Sequence, residues 1–222
     1  MATIGSVARA AARERVTEAR CRVSQGPDRE RRRGRRRGVL DGARVAFVVA
    51  NEGAERRELV EPWRAVVAAA GAPLLVAPEA DDVLLLDHPD TRSCWKADLT
   101  TDELQVEDVD ALVVCGGRAG ADRLRADGHA VGLVRGAFDG GRPVAAMSDA
   151  PWALVEADVV EDRTLTSSAS LRTELERAGA QWVDEPVYTC TRGPNALVTS
   201  RGQDDLEAFC DALVQVVARS DH

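Results

Sequence analysis

The segment 143–154 (PVAAMSDAPWAL) places a serine where a predicted strand turns sharply into a predicted helix. A residue at the apex of such a turn is held in a strained backbone conformation above the sheet, and its neighbours must be small so that strand and helix can approach. Ala146, Ser148 and Ala150 form small-x-Ser-x-small, a relaxed version of the GxSxG elbow of hydrolases. Ser148 is therefore a candidate catalytic or substrate-orienting hydroxyl.

An ordinary helix start explains part of the same segment. Asp149 is a typical N-cap residue, and Pro151 is favoured in the first turn of a helix. The pattern alone leaves two interpretations open: a catalytic elbow in which Asp149 is a second ionisable group, or a capped helix without chemistry.

A second segment ends the predicted strand 109–115 with the paired glycines Gly116 and Gly117. Glycines let the chain approach a ligand closely and offer backbone N–H groups to a developing oxyanion, although a plain loop is the alternative. Cys115 could place a thiol at the floor of the pocket. The alternative for Cys115 is a small buried apolar residue, as free cysteines usually are.

Carboxylates follow the first predicted strand, in the segment 50–55 (ANEGAE). Glu52 and Glu55 would lie at the same sheet edge as Ser148, because the carboxyl ends of parallel strands meet there. A carboxylate whose pKa is raised by burial can act as general acid or base. A solvated carboxylate is the alternative for either residue.

Short apolar runs alternate with amphipathic segments from residue 39 onward. The predicted strands span 43–50, 73–77, 109–115, 143–147 and 197–200, and the predicted helices span 58–70, 130–139, 149–157, 171–178 and 204–218. This alternation predicts an α/β fold, a three-layer sandwich with a mostly parallel sheet and helices on both faces. Residues 39–222 are enough for one domain with one core.

The N-terminal segment 1–38 differs sharply in composition. It carries twelve arginines against four acidic residues, whereas the whole chain has a net charge of −8. Its run 29–38 (RERRRGRRRG) repels itself and offers nothing to bury, so we predict a disordered tail. Nucleic-acid binding is expected only through this tail, because no aromatic platform or recognition helix accompanies it.

The remaining composition excludes several classes of protein. The longest apolar runs fall short of a bilayer span, so we predict no membrane segment and a cytoplasmic location. Five cysteines without a CxxC pair predict reduced thiols and no disulfide framework. Three scattered histidines, His88, His129 and His222, give no metal-binding spacing, so no metal and no cofactor are predicted.

Taken together, several stretches resemble the ThiJ/PfpI superfamily, which has the class I glutamine amidotransferase-like, flavodoxin-like fold. The resemblance covers roughly residues 41–218. Its supporting stretches are ANEGAERRELVEPW, DLTTDE, DALVVCGGRAG, RPVAAMSDAPWAL, LRTELERAGAQWVDE and LVTSRGQDDLEAF.

The resemblance implies roles for particular residues. In this family a glutamate after the first strand hydrogen-bonds a nucleophilic cysteine at the elbow, and a histidine often follows that cysteine. By this comparison Glu55 takes the glutamate position, Ser148 replaces the cysteine and Asp149 replaces the histidine. The amides of Gly117 and Asp149 take the oxyanion-hole positions. Cys115 stands where the family usually has proline before the glycines.

Three functions remain open at this point. The first is an enzyme, a hydrolase or lyase, that acts on a small molecule by acid–base chemistry with Glu55 and Asp149 exchanging protons and Ser148 orienting the substrate. The second is a hydrolase with Ser148 as nucleophile. Its base could be His88 or His129, brought close by the fold or by an oligomer, and Glu55 and Asp149 are the alternatives. The third is a non-catalytic binding protein, chaperone or scaffold. The resemblance also implies a homo-oligomer.

Overall fold

The computed structural model describes residues 22–23, 38–88 and 91–220. Its strands are β1 Arg22–Val23, β2 Arg44–Val48, β3 Glu52–Glu55, β4 Ala72–Ala77, β5 Asp82–His88, β6 Thr91–Lys96, β7 Leu99–Thr100, β8 Ala111–Val114, β9 Val144–Met147, β10 Thr164–Leu165, β11 Gln181–Trp182, β12 Val187–Cys190 and β13 Leu197–Ser200. Its α-helices are α1 Arg56–Ala68, α2 Arg118–Leu124, α3 Gly128–Asp139, α4 Pro151–Glu156, α5 Arg172–Arg177 and α6 Leu206–Ser220.

A seven-stranded sheet forms the centre, in the order β12-β13-β9-β8-β2-β4-β7. All its pairings are parallel except that of β12 with β13 at one edge. The sheet therefore has the predicted mostly parallel architecture, and the carboxyl ends of β8, β9 and β13 lie side by side.

Both faces of this sheet are covered by helices. Alternate residues of β2 point to opposite faces, so that Ala46 and Val48 join the core beneath α3 and α4, while Val45 and Phe47 join the core beneath α1 and α6. Every residue from Val45 to Val48 is essentially inaccessible to solvent. The fold is the predicted three-layer α/β sandwich.

A second sheet, which the sequence patterns did not predict, has the order β1-β6-β5-β3. β5 and β6 form an antiparallel hairpin, and β3 pairs with β5 in parallel. The described pair Arg22–Val23 falls within the predicted tail and pairs with β6. Gly38 is also described, and the other residues of the segment 1–38 lie outside the described residues.

The predicted strands and helices of the central sandwich are confirmed with boundary shifts of a few residues. α1 begins at Arg56 instead of residue 58, and α4 begins at Pro151 instead of residue 149.

The prediction that all cysteines are reduced is wrong for Cys94, which is disulfide-bonded. Cys115, Cys190 and Cys210 are free thiols. Within the described ranges, none of the helices combines the length and apolarity that a bilayer crossing requires.

Candidate active site

Ser148 occupies a strained turn between β9 and α4. Its φ angle is +58°, a left-handed conformation that costs a non-glycine residue about 1–2 kcal/mol. The surrounding main chain holds the turn: the Ser148 amide donates to the Ser200 carbonyl at 3.0 Å, and the Ser148 carbonyl accepts from the Ser168 amide at 2.9 Å. Ala150 is buried, and its amide closes the turn onto the Met147 carbonyl. The structure thus has the elbow geometry that the sequence predicted.

The carboxyl group at this elbow belongs to Glu58, in the first turn of α1. The residue is only 2% exposed. The side chains of Ser148 and Gln203 interact with the carboxyl group and favour its charged form. These interactions leave Oε2 without a hydrogen-bond partner among the described residues. A buried oxygen without a hydrogen-bond partner costs free energy. A ligand group that donated a hydrogen bond to Oε2 would remove this cost, so the atom marks a favourable place for a ligand.

Burial raises the pKa of Glu58 from 4.5 to about 8. Desolvation is the largest cause, because a charged carboxylate loses its hydration inside the protein. The neighbouring charges of Glu55 and Asp149 raise the pKa further, whereas the side chains of Ser148 and Gln203 lower it. Glu58 therefore carries a proton at neutral pH and can give it up just above neutrality.

Glu55, to which the resemblance gave the glutamate position, is placed differently. It is the half-buried N-cap residue of α1, with extended backbone angles (φ −77°, ψ 126°). Its described effect on the site is electrostatic, through the pKa of Glu58. Glu52 is exposed and forms a 3.0 Å ion pair with Arg123, and both residues line a pocket of about 190 Å³. The carboxylate that contacts Ser148 is thus Glu58, one helical turn beyond the predicted residue.

The paired glycines bring β8 against the elbow. A Cβ at Gly116 would clash with Glu58 Oε2 and lie 2.8 Å from the Met147 carbonyl oxygen. Gly117 has φ +88°, and a Cβ there would lie 2.5 Å from the Gly53 carbonyl oxygen. The amides of Gly117 and Asp149 donate no hydrogen bond to any described residue, so both remain available to a ligand.

Asp149 is 9% exposed and serves as an acceptor for two hydroxyl groups. Its Oδ1 accepts from Ser168 Oγ at 2.6 Å and from Ser170 Oγ at 3.3 Å, and the two hydroxyls are 2.9 Å apart. These bonds tie the loop after β10 to the elbow. The N-cap role expected of Asp149 is absent, since the N-cap of α4 is Ala150.

Cys115 is a buried core residue, 1% exposed. Burial, assisted by the nearby carboxyl group of Glu58, raises the pKa of its thiol far above the usual value. The thiolate is the nucleophilic form of cysteine, so Cys115 does not supply a thiol nucleophile at this site. Its structure fits the apolar alternative.

Four participants at the elbow were missed by the sequence interpretation: Glu58, Ser168, Ser170 and Gln203. Glu58 was visible beside Leu59, but its burial depends on where α1 begins. Ser170 and Gln203 lie in short 3₁₀ helices and Ser168 is the N-cap of the first of these; all three reach the elbow only through the fold. His129, considered as a base, is exposed in the first turn of α3. His88 and His222 have no described side chain, and within residues 22–23, 38–88 and 91–220 no cluster suited to a metal ion occurs.

Comparison with known proteins supports a family assignment. The chain is 32% identical over 174 residues to the protein named Deglycase PfpI of Pyrococcus furiosus, covering 78% of this chain and 99% of that protein. It is 37% identical over 112 residues to Protein/nucleic acid deglycase 2 of Escherichia coli, covering 50% of this chain and 63% of that protein.

A solved structure shares the fold at lower sequence identity. The ThiJ/PfpI domain protein of Brachyspira murdochii superposes with a TM-score of 0.72 at 19% identity, covering 81% of this chain and 98% of that one. The model of the DJ-1/PfpI family matches residues 43–216, which include the elbow, the paired glycines and Glu58. This chain belongs to the DJ-1/PfpI family.

Proposed function

We propose that this protein is an enzyme that acts on a small molecule by acid–base chemistry without a thiol. Glu58 exchanges the proton, and Ser148 orients the substrate. In this proposal Ser148 and Asp149 take the places of the family's elbow cysteine and the histidine after it. The observation that carries the proposal is the buried carboxyl of Glu58, with a pKa of about 8 and an unpartnered Oε2 beside Ser148.

The pKa of Glu58 suits a group that must both donate and accept a proton within one catalytic cycle. A general acid–base group works best when its pKa lies near the working pH. At pH 7 Glu58 is mostly protonated and can donate to a substrate oxygen. The carboxylate left behind is poorly solvated, so it takes a proton back readily from carbon or water.

The groups around Glu58 suit a polar, oxygen-bearing substrate. The free amides of Gly117 and Asp149 can bind a carbonyl or developing alkoxide oxygen. The hydroxyls of Ser168 and Ser170 already have Asp149 as an acceptor for their protons, so their lone pairs can accept from a substrate hydroxyl. Asp149 is in this scheme a positioning residue, which revises the proton-exchange role that the sequence suggested for it.

The substrate class we propose is a small α-oxoaldehyde or an adduct of one. The relatives that are named deglycases favour this class. Conversion of an α-oxoaldehyde to a 2-hydroxy acid adds one water molecule and moves one hydrogen between adjacent carbons. In the acid–base version, a proton leaves one carbon and returns from Glu58 to the next, so no net oxidation occurs.

Proton NMR in D₂O tests this function directly. Purified protein is incubated with methylglyoxal at pH 7.5, and the 2-hydroxy acid product is quantified together with its deuterium content at C2. We expect turnover with deuterium at C2, and a loss of at least 100-fold in kcat/KM for Glu58→Gln. Glu61→Gln, on the exposed side of α1, is the matched control and should retain activity. Normal turnover by Glu58→Gln would refute the proposal.

A second candidate, a serine hydrolase, is favoured by the φ of +58° at Ser148 and by the two free amides. Here Ser148 attacks an acyl carbon and Glu58, deprotonated above pH 8, accepts the hydroxyl proton. A fluorophosphonate probe distinguishes the two candidates. Labelling of wild type at pH 9 that is lost in Ser148→Ala would favour the hydrolase, and absence of labelling would reject it.

The third possibility raised by the sequence, a binding or scaffold role, makes a different prediction. A protein of that kind would turn over no α-oxoaldehyde and take up no fluorophosphonate. The homo-oligomer and the cytoplasmic location stay predictions, and sedimentation equilibrium of the full chain tests the first of them.

A further inference from the structure

The elbow carries negative charge that no neighbouring cation offsets. Glu55 and Asp149 both act electrostatically on the carboxyl group of Glu58, so the two charges lie close to one point. Among the residues that the structure describes, no ion pair includes any of these three side chains. A site lined by charge of one sign attracts ligands of the opposite sign.

Asp149 is the carboxylate that is withdrawn furthest from water without compensation. It is 9% exposed, and its described hydrogen bonds all go to one oxygen, Oδ1, from the neutral hydroxyls of Ser168 and Ser170. A buried carboxylate needs a cation or several donors to offset its lost hydration. Since each of its two oxygens can accept, half of its capacity is unused.

The second oxygen of Asp149 is open to a ligand. Oδ2 accepts no hydrogen bond from a described residue, yet it is not one of the fully buried oxygens that lack a partner, as Glu58 Oε2 is. Oδ2 is therefore reachable from solvent. The amide of the same residue also donates to no described acceptor. Asp149 thus offers an anionic acceptor and an N–H donor as close neighbours.

Glu58 independently marks the place of a ligand at the same turn. Its carboxyl group is 2% exposed with Oε2 unpartnered among the described residues, and it interacts with the side chain of Ser148. A Cβ at Gly116 would meet Oε2 and lie 3.4 Å from Ser148 Cβ, which puts the oxygen beside the elbow. A ligand oxygen bound to the free amides of Gly117 and Asp149 would lie between this carboxyl group and Asp149 Oδ2.

We propose that the elbow binds small hydroxy or carbonyl compounds that carry a primary ammonium group on the carbon next to the oxygen-bearing carbon, with Asp149 Oδ2 as the partner of the ammonium. The ammonium has three donors, so it can also reach the lone pairs of Ser168 and Ser170, whose protons go to Asp149. This inference rests on the proposed function only for the position of the ligand oxygen.

The same charges disfavour an anionic ligand. A 2-hydroxy acid, which is the product of the proposed reaction, would bring a carboxylate towards Glu55 and Asp149, and like charges repel. The elbow should therefore rank ligands of one shape by charge, with the cation bound most tightly and the anion least.

Three small probes of similar shape test this ranking. Serinol, glycerol and glycerate differ mainly in whether they carry an ammonium group, no charge or a carboxylate. The full chain is titrated with each at pH 7, and the dissociation constant is measured by saturation-transfer NMR. We expect serinol to bind about tenfold more tightly than glycerol or better, as for a hydrogen bond to a charged group, and glycerate to bind least. Equal or weaker binding of serinol, or no detectable binding of it, would overturn the proposal.

A substitution isolates the charge of Asp149. Asp149→Asn keeps an oxygen that can accept from the two serines, so it should abolish most of the preference for serinol over glycerol. Glu61→Gln, which removes an exposed carboxylate from α1, is the matched control and should keep the preference. A preference that survives Asp149→Asn would overturn the proposal. If circular dichroism shows that this variant is unfolded, the ranking of the probes by the wild type decides.

The binding test is separate from the test of catalysis, because none of the three probes is an α-oxoaldehyde. Turnover of methylglyoxal without a preference for serinol would reject the ammonium site alone. A preference for serinol that depends on Asp149, without turnover of methylglyoxal, would reject the proposed function alone.

Discussion

Replacing Glu58 by glutamine should remove a pH-dependent loss of stability from this protein. The folded state raises the pKa of Glu58 from 4.5 to about 8, so between these values the folded chain keeps a proton that the unfolded chain has lost. Stability then falls as pH rises, because the folded state binds more protons. The loss begins near pH 4.5 and is complete once the pH exceeds about 8.

The size of the effect follows from the two pKa values. Each pKa unit corresponds to about 1.4 kcal/mol, so a pKa displaced from 4.5 to about 8 costs roughly 4–5 kcal/mol at alkaline pH. At pH 5 the cost is below about 1 kcal/mol, because this pH lies only half a unit above the pKa of 4.5 in the unfolded chain. Glutamine has nearly the same shape and no charge, so Glu58→Gln should be close to wild type at pH 5 and roughly 3–4 kcal/mol more stable at pH 9.

Urea denaturation of wild type and variant, at half-unit intervals from pH 5 to 9, measures this difference. Taking the difference cancels the titration of all other groups that the two chains share. Glu61→Gln is the matched control on the same helix, because its carboxylate is exposed and bonds only to Arg64 at 3.2 Å among the described residues. Its stability should differ from wild type by less than about 0.5 kcal/mol at every pH.

Parallel curves for wild type and Glu58→Gln would refute the reasoning. That result would mean that Glu58 ionises as freely in the folded protein as in the unfolded chain. The burial of its carboxyl group beside Ser148 would then be wrong, and with it the acid–base function.

Three further predictions concern the same site. Gly116→Ala should lower the free energy of unfolding in urea by about 1–3 kcal/mol and reduce activity, because the new methyl group meets Glu58 Oε2. Gly132→Ala, in open space on α3, should raise the free energy of unfolding by about 0.5–1 kcal/mol. Equal effects of the two substitutions would contradict the close packing at Gly116. Glu55→Gln removes a like charge and should move the midpoint of the pH-dependent stability loss to lower pH; an unmoved midpoint would argue against the coupling. Asp149→Asn should retain more stability than Asp149→Ala, since an amide oxygen can still accept from the two serines, and equal losses would show that those bonds matter little.

The sandwich and its elbow could be predicted from sequence because the signals are local. Strands buried on both faces appear as short apolar runs, as in β2, and helices appear as apolar stripes that end at a glycine. Small residues around Ser148 and the paired Gly116 and Gly117 mark the elbow, because both features relieve crowding between neighbouring segments of backbone. These patterns need no knowledge of the rest of the chain.

The second sheet was missed because its pattern is not distinctive. β5 (DVLLLDH) is short and apolar, but its partner β6 (TRSCWK) mixes charged and polar residues. Their pairing, and that of β3 with β5, depends on segments that meet only in the folded chain. Cys94 lies in the same sheet, and its disulfide was not predicted for the same reason.

By itself, the sequence determined the fold class, the elbow serine, and the glycine pair that faces it. Only the tertiary structure decided which glutamate is buried at the elbow. The helix α1 begins at Arg56, two residues earlier than predicted, so that Glu58 lies buried in its first turn and Glu55 is its N-cap residue. Burial then decides its chemistry, because the raised pKa arises from water excluded by α1, β8 and the elbow together, and no local pattern encodes that exclusion.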